Sequence, residues 1–205
     1  EVISKHWKKT FQTMMFFPYF LSWVVVQALV TALLNERFGV INELLRSLGM
    51  EGVVWYNEPA YWPAILTIAS VWKGLGYGVV IYLAKITGID QEIYESCRMD
   101  GANKFQEIIH ITLPMLKPTI VLLLIMNIGN MFRGDFGMIY SLIGDNGQLL
   151  ETTEIIDTYV YRTMRQGGNY GLSTAIGLYQ SIMGLILVLF TNWLARRYDP
   201  EVAIF

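Results

Sequence analysis

The sequence has 205 residues, of which 54% are hydrophobic and 16% are charged, with a mean hydropathy of +0.40 and a formal net charge of -2. Soluble domains are about 25% charged, so this composition favours a membrane protein, and the lack of a basic run argues against nucleic acid as a partner. The single cysteine, Cys97, and two distant histidines, His6 and His110, do not support an internal disulfide or a Cys/His metal site. The sequence starts at Glu1 without a Met or a signal peptide, which favours a piece of a longer chain.

Four apolar stretches are long enough to cross a bilayer, which requires about 20 helical residues. The predicted spans are about residues 11–34, 61–85, 118–143 and 171–195. The first and the fourth contain no charged residue. The second contains Lys73, and the third contains Arg133 and Asp135. A central charge costs about 2.5 to 3.5 kcal/mol on insertion, which the other apolar residues of a span can offset.

Four spans place both termini on the same side of the membrane, and the Lys/Arg distribution predicts which side. Nine Lys and Arg residues lie at the start, in the 85–117 segment and at the end, whereas four lie in 36–60 and 144–170. The termini and the 85–117 segment are therefore predicted to be cytoplasmic, and 36–60 and 144–170 to be extracellular loops. Residues 36–60 include "FGVINELLRSLGM", a pattern that allows a short helix on the membrane surface. No repeat or linker appears, so 1–205 is predicted to be a single membrane domain.

A polar segment, "IYESCRMDGANKFQEIIHITLPMLKP", separates the second and third predicted spans. If it is read as one helix, its apolar and small residues fall at steps of four, four, four and three and form one stripe: Ile93, Cys97, Gly101, Phe105 and Ile108. On the other side, Asp100 and Lys104 are spaced for an ion pair.

Gly101 lowers the helix propensity of this segment by about 1 kcal/mol relative to Ala, and so marks either a bend or a point of close packing. The pattern alone leaves two alternatives open, an amphipathic helix on the membrane surface and a docking element for another protein. The thin stripe of small residues favours a protein partner.

Within this segment, "YESCRMDGANKFQEIIHITLP" resembles the EAA signature of the permease subunits of bacterial ABC importers. That signature is Glu-Ala-Ala, three residues, Gly, nine residues, an apolar residue, one more residue and Leu-Pro. The matching positions, in order, are Glu95, Ser96, Cys97, Gly101, Ile111, Leu113 and Pro114, and Asp100 and Ala102 match the Asp-Gly-Ala of sugar-type members. Ser96 and Cys97 depart from the two alanines, but both are small.

The resemblance extends over nearly the whole chain. The stretches "FFPYFLSWVVV", "DFGMIYSL", "TTEIIDTYVYR" and "GLSTAIGLYQSIMGLILVLFTNWLARRYDPE" are similar to the complex-oligosaccharide (LplB/YtcP-like) branch of these permeases. The resemblance implies an all-α polytopic membrane protein with the type I ABC importer (MetI-like) transmembrane fold. Members have six spans and this chain resembles the last four, so two N-terminal spans are expected to be missing.

The resemblance also implies the assembly and the role of the polar segment. In this family the segment, here residues 91–117, forms a coupling helix that docks on a cytoplasmic ATPase subunit. The implied partners are a second homologous permease subunit, two ATPase subunits and an extracellular lipoprotein that captures an oligosaccharide, in the plasma membrane of a bacterium. Glu95 is expected to contact the ATPase.

We expect no ATP site, catalytic residue or metal site in this chain. It lacks the G-x-x-x-x-G-K-[ST] phosphate loop, and the glycine cluster "KGLGYG" lies within a predicted span, where it fits a helix contact better. ATP and Mg²⁺ would therefore belong to the partner ATPase subunits.

Polar side chains within the predicted spans are candidates for a sugar path, because such groups tend to face the interior of a helix bundle. The candidates are Lys73, Asn127, Asn130, Arg133, Asp135, Tyr179 and Gln180. Structural alternatives remain open for several: Arg133 and Asp135 can pair, Lys73 can snorkel or pair, and Gln180 can bond between helices. Ser173, Gly177, Ser181 and Gly184 form a small-residue stripe that favours helix packing.

Other functions are less well supported by the residues. An ABC permease for another solute, such as an amino acid, peptide or phosphate ester, is an alternative. A membrane-embedded glycan or lipid transferase requires an acid, base or metal constellation, which the sequence lacks. A secondary transporter has no use for a cytoplasmic coupling motif.

Overall fold

The described residues of the computed structural model, 5–168 and 170–198, form eleven α-helices joined by turns and contain no β-strand. Side chains are described for residues 10–168 and 170–197, so Lys5, Lys8 and Lys9 of the charge count and residues 199–205 lie outside them. The helices are α1 (Lys5–Phe16), α2 (Trp23–Leu33), α3 (Val40–Ser47), α4 (Trp62–Thr87), α5 (Gln91–Met99), α6 (Lys104–Glu107), α7 (Leu113–Gly129), α8 (Phe136–Ile143), α9 (Leu150–Thr153), α10 (Ile156–Gly167) and α11 (Tyr170–Tyr198). The predicted all-α fold is confirmed.

Three helical stretches are long and apolar enough to cross a membrane: Pro59–Thr87, Lys104–Gly129 and Tyr170–Arg197. The first and third of these lie close to the predicted spans 61–85 and 171–195. The predicted span 118–143 differs from the structure, because the long helix ends at Gly129 and α8 is a separate short helix. Hydropathy alone does not detect this break, which Asp135 fixes by accepting the Met138 N–H at the start of α8 (2.8 Å).

The first predicted span, 11–34, is two helices rather than one. Thr10–Phe20 and Trp23–Leu33 are bent by 101° at a short break. Pro18 lies in the 3₁₀ turn that ends the first piece, and Ser22 begins the second by accepting the Val25 N–H on its Oγ (3.4 Å). The pair counts as a fourth span only if both pieces belong to the same crossing.

The described residues up to Gly76, together with Gly134–Ser173, form one compact unit. Its core consists of buried apolar residues of α4, α8 and the following turn: Trp62, Leu66, Ile139, Leu142, Ile143 and Leu149. Trp23 of α2 packs against this core. Two bonds also tie the loop before α4 to the segment after α8, from Asn146 Nδ2 to the Tyr56 carbonyl (2.9 Å) and from Thr152 Oγ1 to the Pro59 carbonyl (2.8 Å).

Asn42 of α3 organises the loop between α2 and α4. It is fully buried, and its Nδ2 donates to the carbonyl groups of Asn35 (3.3 Å), Glu36 (3.1 Å) and Val53 (2.8 Å). Its Oδ1 accepts from the Val53 N–H (3.0 Å) and from Trp55 Nε1 (3.1 Å). One side chain therefore satisfies backbone groups on both sides of α3.

Tyr77–Arg133 and the described residues from Thr174 onward form the second unit. Here α7 and α11 meet at two glycines, since a Cβ added to Gly184 would lie 2.8 Å from the Gly129 carbonyl oxygen. A Cβ at Gly177 would meet nothing within 4 Å. The predicted packing stripe is therefore in close contact at Gly184 and open at Gly177.

We predict that Asn42→Leu destabilises the protein by roughly 2 to 4 kcal/mol, because both polar groups of Val53 lose their buried partner. Thermal unfolding of the purified full-length protein in detergent measures this as a lower Tm. Glu43→Gln, at the exposed neighbouring position, is the matched control and should leave the Tm unchanged. Equal Tm values for the two variants would contradict the role given to Asn42.

We predict that Gly184→Ala and Gly177→Ala have opposite effects on stability. At Gly184 the new methyl group meets a backbone carbonyl, and such overpacking costs roughly 1 to 3 kcal/mol. At Gly177 the space is open, so alanine should be neutral or stabilise the helix by up to about 1 kcal/mol. The same unfolding measurement tests both, and a stable Gly184→Ala protein would show that α7 and α11 are not in close contact there.

Candidate functional site

The polar segment is a helix, a turn and a second helix. Asp90 begins α5 by accepting the Glu92 N–H (3.1 Å), and α5 ends at Met99. Gly101 then adopts a left-handed conformation with φ +86, and a Cβ there would meet nothing within 4 Å. Of the two roles predicted for Gly101, the structure supports the bend. Because the helix stops here, the stripe predicted for one continuous helix does not form.

Asn103 starts the second helix. Its Oδ1 accepts the Gln106 N–H (2.9 Å), and Gln106 Oε1 accepts the Asn103 N–H (2.8 Å), which is a reciprocal capping box. After α6 the chain forms a π-helical turn, Ile108–Thr112, and continues into α7. Pro114 lacks the N–H of a regular α-helical bond, which favours such a wide turn at this point.

Glu107 braces the two helices across the Gly101 turn. Its side chain is only 6% exposed, and it accepts from Arg98 Nε (2.7 Å) and Arg98 Nη2 (3.3 Å). Lys104 Nζ lies 3.5 Å from its Oε2. The prediction that Lys104 pairs with Asp100 is therefore wrong, because the turn at Gly101 breaks the helical spacing on which that pair depended.

Sequence reasoning missed Glu107 because Arg98 and Glu107 are nine residues apart, a spacing at which no single helix brings side chains together. The available signal was the Asn-x-x-Gln of the capping box, which marks the start of a new helix after Gly101. A second link, between the Tyr94 hydroxyl and Thr112 Oγ1 (2.9 Å), joins α5 to the π-helical turn.

The signature residues form the exposed part of this braced unit. Glu95 is exposed and its carboxylate has no hydrogen bond or ion pair among the described residues, whereas Ser96 Oγ donates back to the Glu92 carbonyl (2.8 Å). Met99 is 89% exposed and Phe105 is 69% exposed. An open cleft of about 260 Å³ is lined by Cys97, Asp100, Gly101, Ala102, Gln106 and His110. Leu113 and Pro114, at the start of α7, are exposed as well.

The segment thus combines free carboxylates, large apolar side chains and a concave surface on one braced helix-turn-helix. Such a surface suits a protein partner, because a protein can offer both an apolar socket and counter-charges. The described part of the chain has no group of three or more His, Cys, Asp or Glu residues that could hold a metal ion.

In the second unit, the candidate path residues lie around the end of α7. Asn127 and Asn130 each donate to a carbonyl four residues earlier in the same helix, at 2.9 and 3.1 Å. Arg133 Nη2 donates to Ser181 Oγ (3.0 Å) on α11. Gln180 is buried and donates to the Phe132 carbonyl (2.8 Å), and Tyr179 packs edge-on against the Phe132 ring. Gln180 therefore bonds from α11 to the turn after α7, whereas the sequence left a bond between helices and a sugar contact open for it.

In the first unit, Lys73 and Asp135 also have defined partners. Lys73 Nζ donates to the Tyr19 carbonyl (3.0 Å) in the break between α1 and α2, and lies over the rings of Tyr19 (5.4 Å) and Trp23 (5.2 Å). Asp135 accepts from Trp23 Nε1 (2.8 Å). Both side chains hold the broken helix in place, so the structure gives each of them a packing role.

Comparison with known proteins places this architecture in a family. Residues 3–203 match the model of the binding-protein-dependent transport system inner membrane component. The chain is 38% identical over 201 residues to the polygalacturonan/rhamnogalacturonan transport system permease protein YteP of Bacillus subtilis (strain 168), covering 98% of this chain and 62% of that protein. It therefore spans less than two thirds of the length of this relative.

Two crystal structures are similar to this chain in both fold and sequence. A bacterial alginate ABC transporter in complex with an alginate pentasaccharide-bound periplasmic protein matches with a TM-score of 0.89 and 36% identity, covering 97% of this chain and 68% of that chain. A bacterial ABC transporter involved in the import of the acidic polysaccharide alginate matches with a TM-score of 0.90 and 36% identity over 97% of this chain and 69% of that chain. The chain belongs to the family of binding-protein-dependent transport system inner membrane components, as the resemblance of its polar segment predicted.

Proposed function

We propose that the chain is part of the transmembrane subunit of an ATP-driven importer in a bacterial cell membrane, where it lines the path of an oligosaccharide or polysaccharide fragment. A second permease subunit, two cytoplasmic ATPase subunits and an extracellular sugar-binding lipoprotein complete the importer. The family description and the periplasmic protein bound to the alginate transporter support the binding-protein partner. The observation that carries the proposal is the braced helix-turn-helix that exposes Glu95 and its neighbours.

In this proposal the polar segment transmits movement of the ATPase subunits to the membrane. Glu95 offers a free carboxylate to the ATPase, and Met99 and Phe105 offer apolar contact area. The Glu107 brace makes α5 and α6 move together, and α6 continues through the π-helical turn into a helix of membrane length, Lys104–Gly129. A displacement of α5 is thereby passed to α7. ATP and Mg²⁺ bind to the partner ATPase subunits and not to this chain.

Transport by the complete importer in proteoliposomes tests the assignment. We expect sugar uptake to require ATP hydrolysis and the extracellular binding protein. Uptake driven by an ion gradient without the ATPase subunits would contradict the importer and favour a secondary transporter. Uptake of an amino acid, peptide or phosphate ester instead of a sugar would contradict the substrate class while leaving the importer in place.

Acidic oligosaccharides are the substrates that the residues favour. Arg133 is exposed shortly after the end of α7, its guanidinium group donates to the neutral Ser181 hydroxyl, and it forms no ion pair among the described residues. A guanidinium group with unused donors suits a sugar carboxylate, which it can bind through two parallel hydrogen bonds. The import of an acidic polysaccharide by one structural relative supports the same substrate class.

We predict that Gly101→Ala lowers sugar uptake per ATP hydrolysed, because alanine resists the left-handed conformation by about 1 to 2 kcal/mol and so distorts the turn. Gly49→Ala is the matched control: Gly49 has φ +77 and open space around it, but it follows α3, outside the polar segment. Both variants should lose similar stability, and Gly101→Ala alone should hydrolyse ATP without matching uptake. Equal coupling in both variants would contradict the role of the turn.

We predict that Arg133→Gln reduces uptake of an acidic oligosaccharide about tenfold relative to a neutral one, as the loss of a charge-assisted bond of about 1.5 kcal/mol implies. Arg165→Gln is the matched control, because Arg165 already has a carboxylate partner in Asp145 (3.1 Å). Competition between labelled acidic and neutral oligosaccharides in the proteoliposome assay measures the ratio. An equal loss for both sugars in Arg133→Gln would remove Arg133 from carboxylate recognition.

A further inference from the structure

The short helix α3 has its apolar side chains on the outside. Four apolar residues on α3 and at its two ends are between 56 and 78% exposed: Phe38, Val40, Leu44 and Leu48. Val40, Leu44 and Leu48 are successive positions four apart, so they form one strip along the helix. We call these four residues the outward face of α3.

The inward face of α3 is polar. Asn42 is fully buried, and Arg46, four residues later, donates to the carbonyl groups of Arg37 (2.9 Å) and Glu36 (2.7 Å). A surface helix of a water-soluble domain has the reverse arrangement, with its apolar stripe toward the core. The outward face of α3 therefore requires an apolar environment that the described chain does not supply.

The start of α3 is fixed beside the end of α2, the second piece of the bent helix pair. A Cβ at Gly39, the residue before α3, would lie 2.6 Å from the Leu33 carbonyl oxygen at the end of α2. Leu29 and Leu33 of α2 are exposed apolar residues, and Phe38, which follows shortly after α2, is 78% exposed. The first residue of the outward face, Phe38, therefore follows closely after Leu33, the last residue of α2.

The other side of α3 is tied to aromatic residues at the start of the next long helix. Trp55 Nε1 donates to Asn42 Oδ1 (3.1 Å), and Trp62 Nε1 donates to the Trp55 carbonyl (2.7 Å). Tryptophan and tyrosine concentrate where a membrane helix meets the headgroup region. Trp62 itself is buried in the core, but the neighbouring Tyr61 is 47% exposed and its ring lies 5.4 Å from that of Trp55, so α3 is held next to an exposed aromatic residue at the start of Pro59–Thr87.

We propose that α3 lies in the lipid headgroup region of the leaflet at which α2 ends, with its outward face inserted toward the acyl chains. The inference goes beyond the proposed transport function and does not depend on it. Lipid is the favoured occupant because the outward face contains no charge and α3 is tied through Trp55 to the start of Pro59–Thr87, a helix long and apolar enough to cross a membrane. The neighbouring polar flank, Glu43 and Ser47, is not cationic, so binding should not require anionic lipid.

Spin labels on single cysteines test the inference in the assembled importer. The full-length chain carries Cys97→Ala, the residue found at that position of the family signature, and is reconstituted with its partner subunits into vesicles of neutral lipid and into vesicles with anionic lipid. Nitroxides are placed at Leu44→Cys and Leu48→Cys, and Glu43→Cys on the polar flank is the matched control. Power saturation then compares the accessibility of each label to oxygen, which concentrates in lipid, and to a water-soluble nickel chelate.

We expect oxygen accessibility to exceed chelate accessibility severalfold at positions 44 and 48, with the order reversed at position 43, in both kinds of vesicle. Chelate accessibility at position 44 or 48 equal to that at 43 would show that α3 lies in water and would overturn the inference. Labels at 44 and 48 that neither probe reaches would show that another protein surface covers the face, and would overturn it equally. Labelling at Phe38→Cys gives an independent reading if one of the α3 variants fails to assemble.

Discussion

This structure depends on one requirement: backbone carbonyl groups at the breaks between helices need hydrogen-bond donors. A bilayer offers no water to satisfy them, so each break in a membrane helix needs a donor from elsewhere in the protein. Lys73 supplies one to the Tyr19 carbonyl between α1 and α2, and Gln180 supplies one to the Phe132 carbonyl after α7. Asn42 does the same for the carbonyl groups that follow α2. The irregular parts of the chain are held by single polar side chains placed at these points.

This constraint separates the polar residues of the spans into two groups. Lys73 and Gln180 each donate to a backbone carbonyl at a break between helices, so replacing either side chain would remove that hydrogen bond. Arg133 differs, because one of its donors binds a neutral hydroxyl and its charge has no carboxylate partner among the described residues. A polar residue in a span is therefore a candidate for substrate contact only if its side chain is not already bonded to a backbone carbonyl. By that criterion Arg133 is the strongest candidate for the path.

The elements that depend on local composition were predictable from the sequence, and those that depend on contacts across a turn were not. Long apolar runs located the helices around residues 61–85 and 171–195, and the spacing from Glu95 to Pro114 identified the family. The break before Asp135 escaped detection because its flanks are as apolar as the spans themselves. Glu107 escaped because its partner Arg98 lies on a different helix, and Asn42 because its five bonds connect segments that have no common periodicity.

Exposed apolar residues occur on both the polar segment and α3, and their neighbours indicate different environments. Met99 and Phe105 are close in sequence to the exposed charges of Glu95 and Asp100, and immersing those charges in lipid would cost several kcal/mol each. A protein surface can meet the same charges with hydrogen bonds, which favours docking. On α3 the strip formed by Val40, Leu44 and Leu48 contains no charge, and the side chains of Asn42 and Arg46 are hydrogen-bonded to the loop. The same exposure therefore indicates a protein partner in one case and lipid in the other.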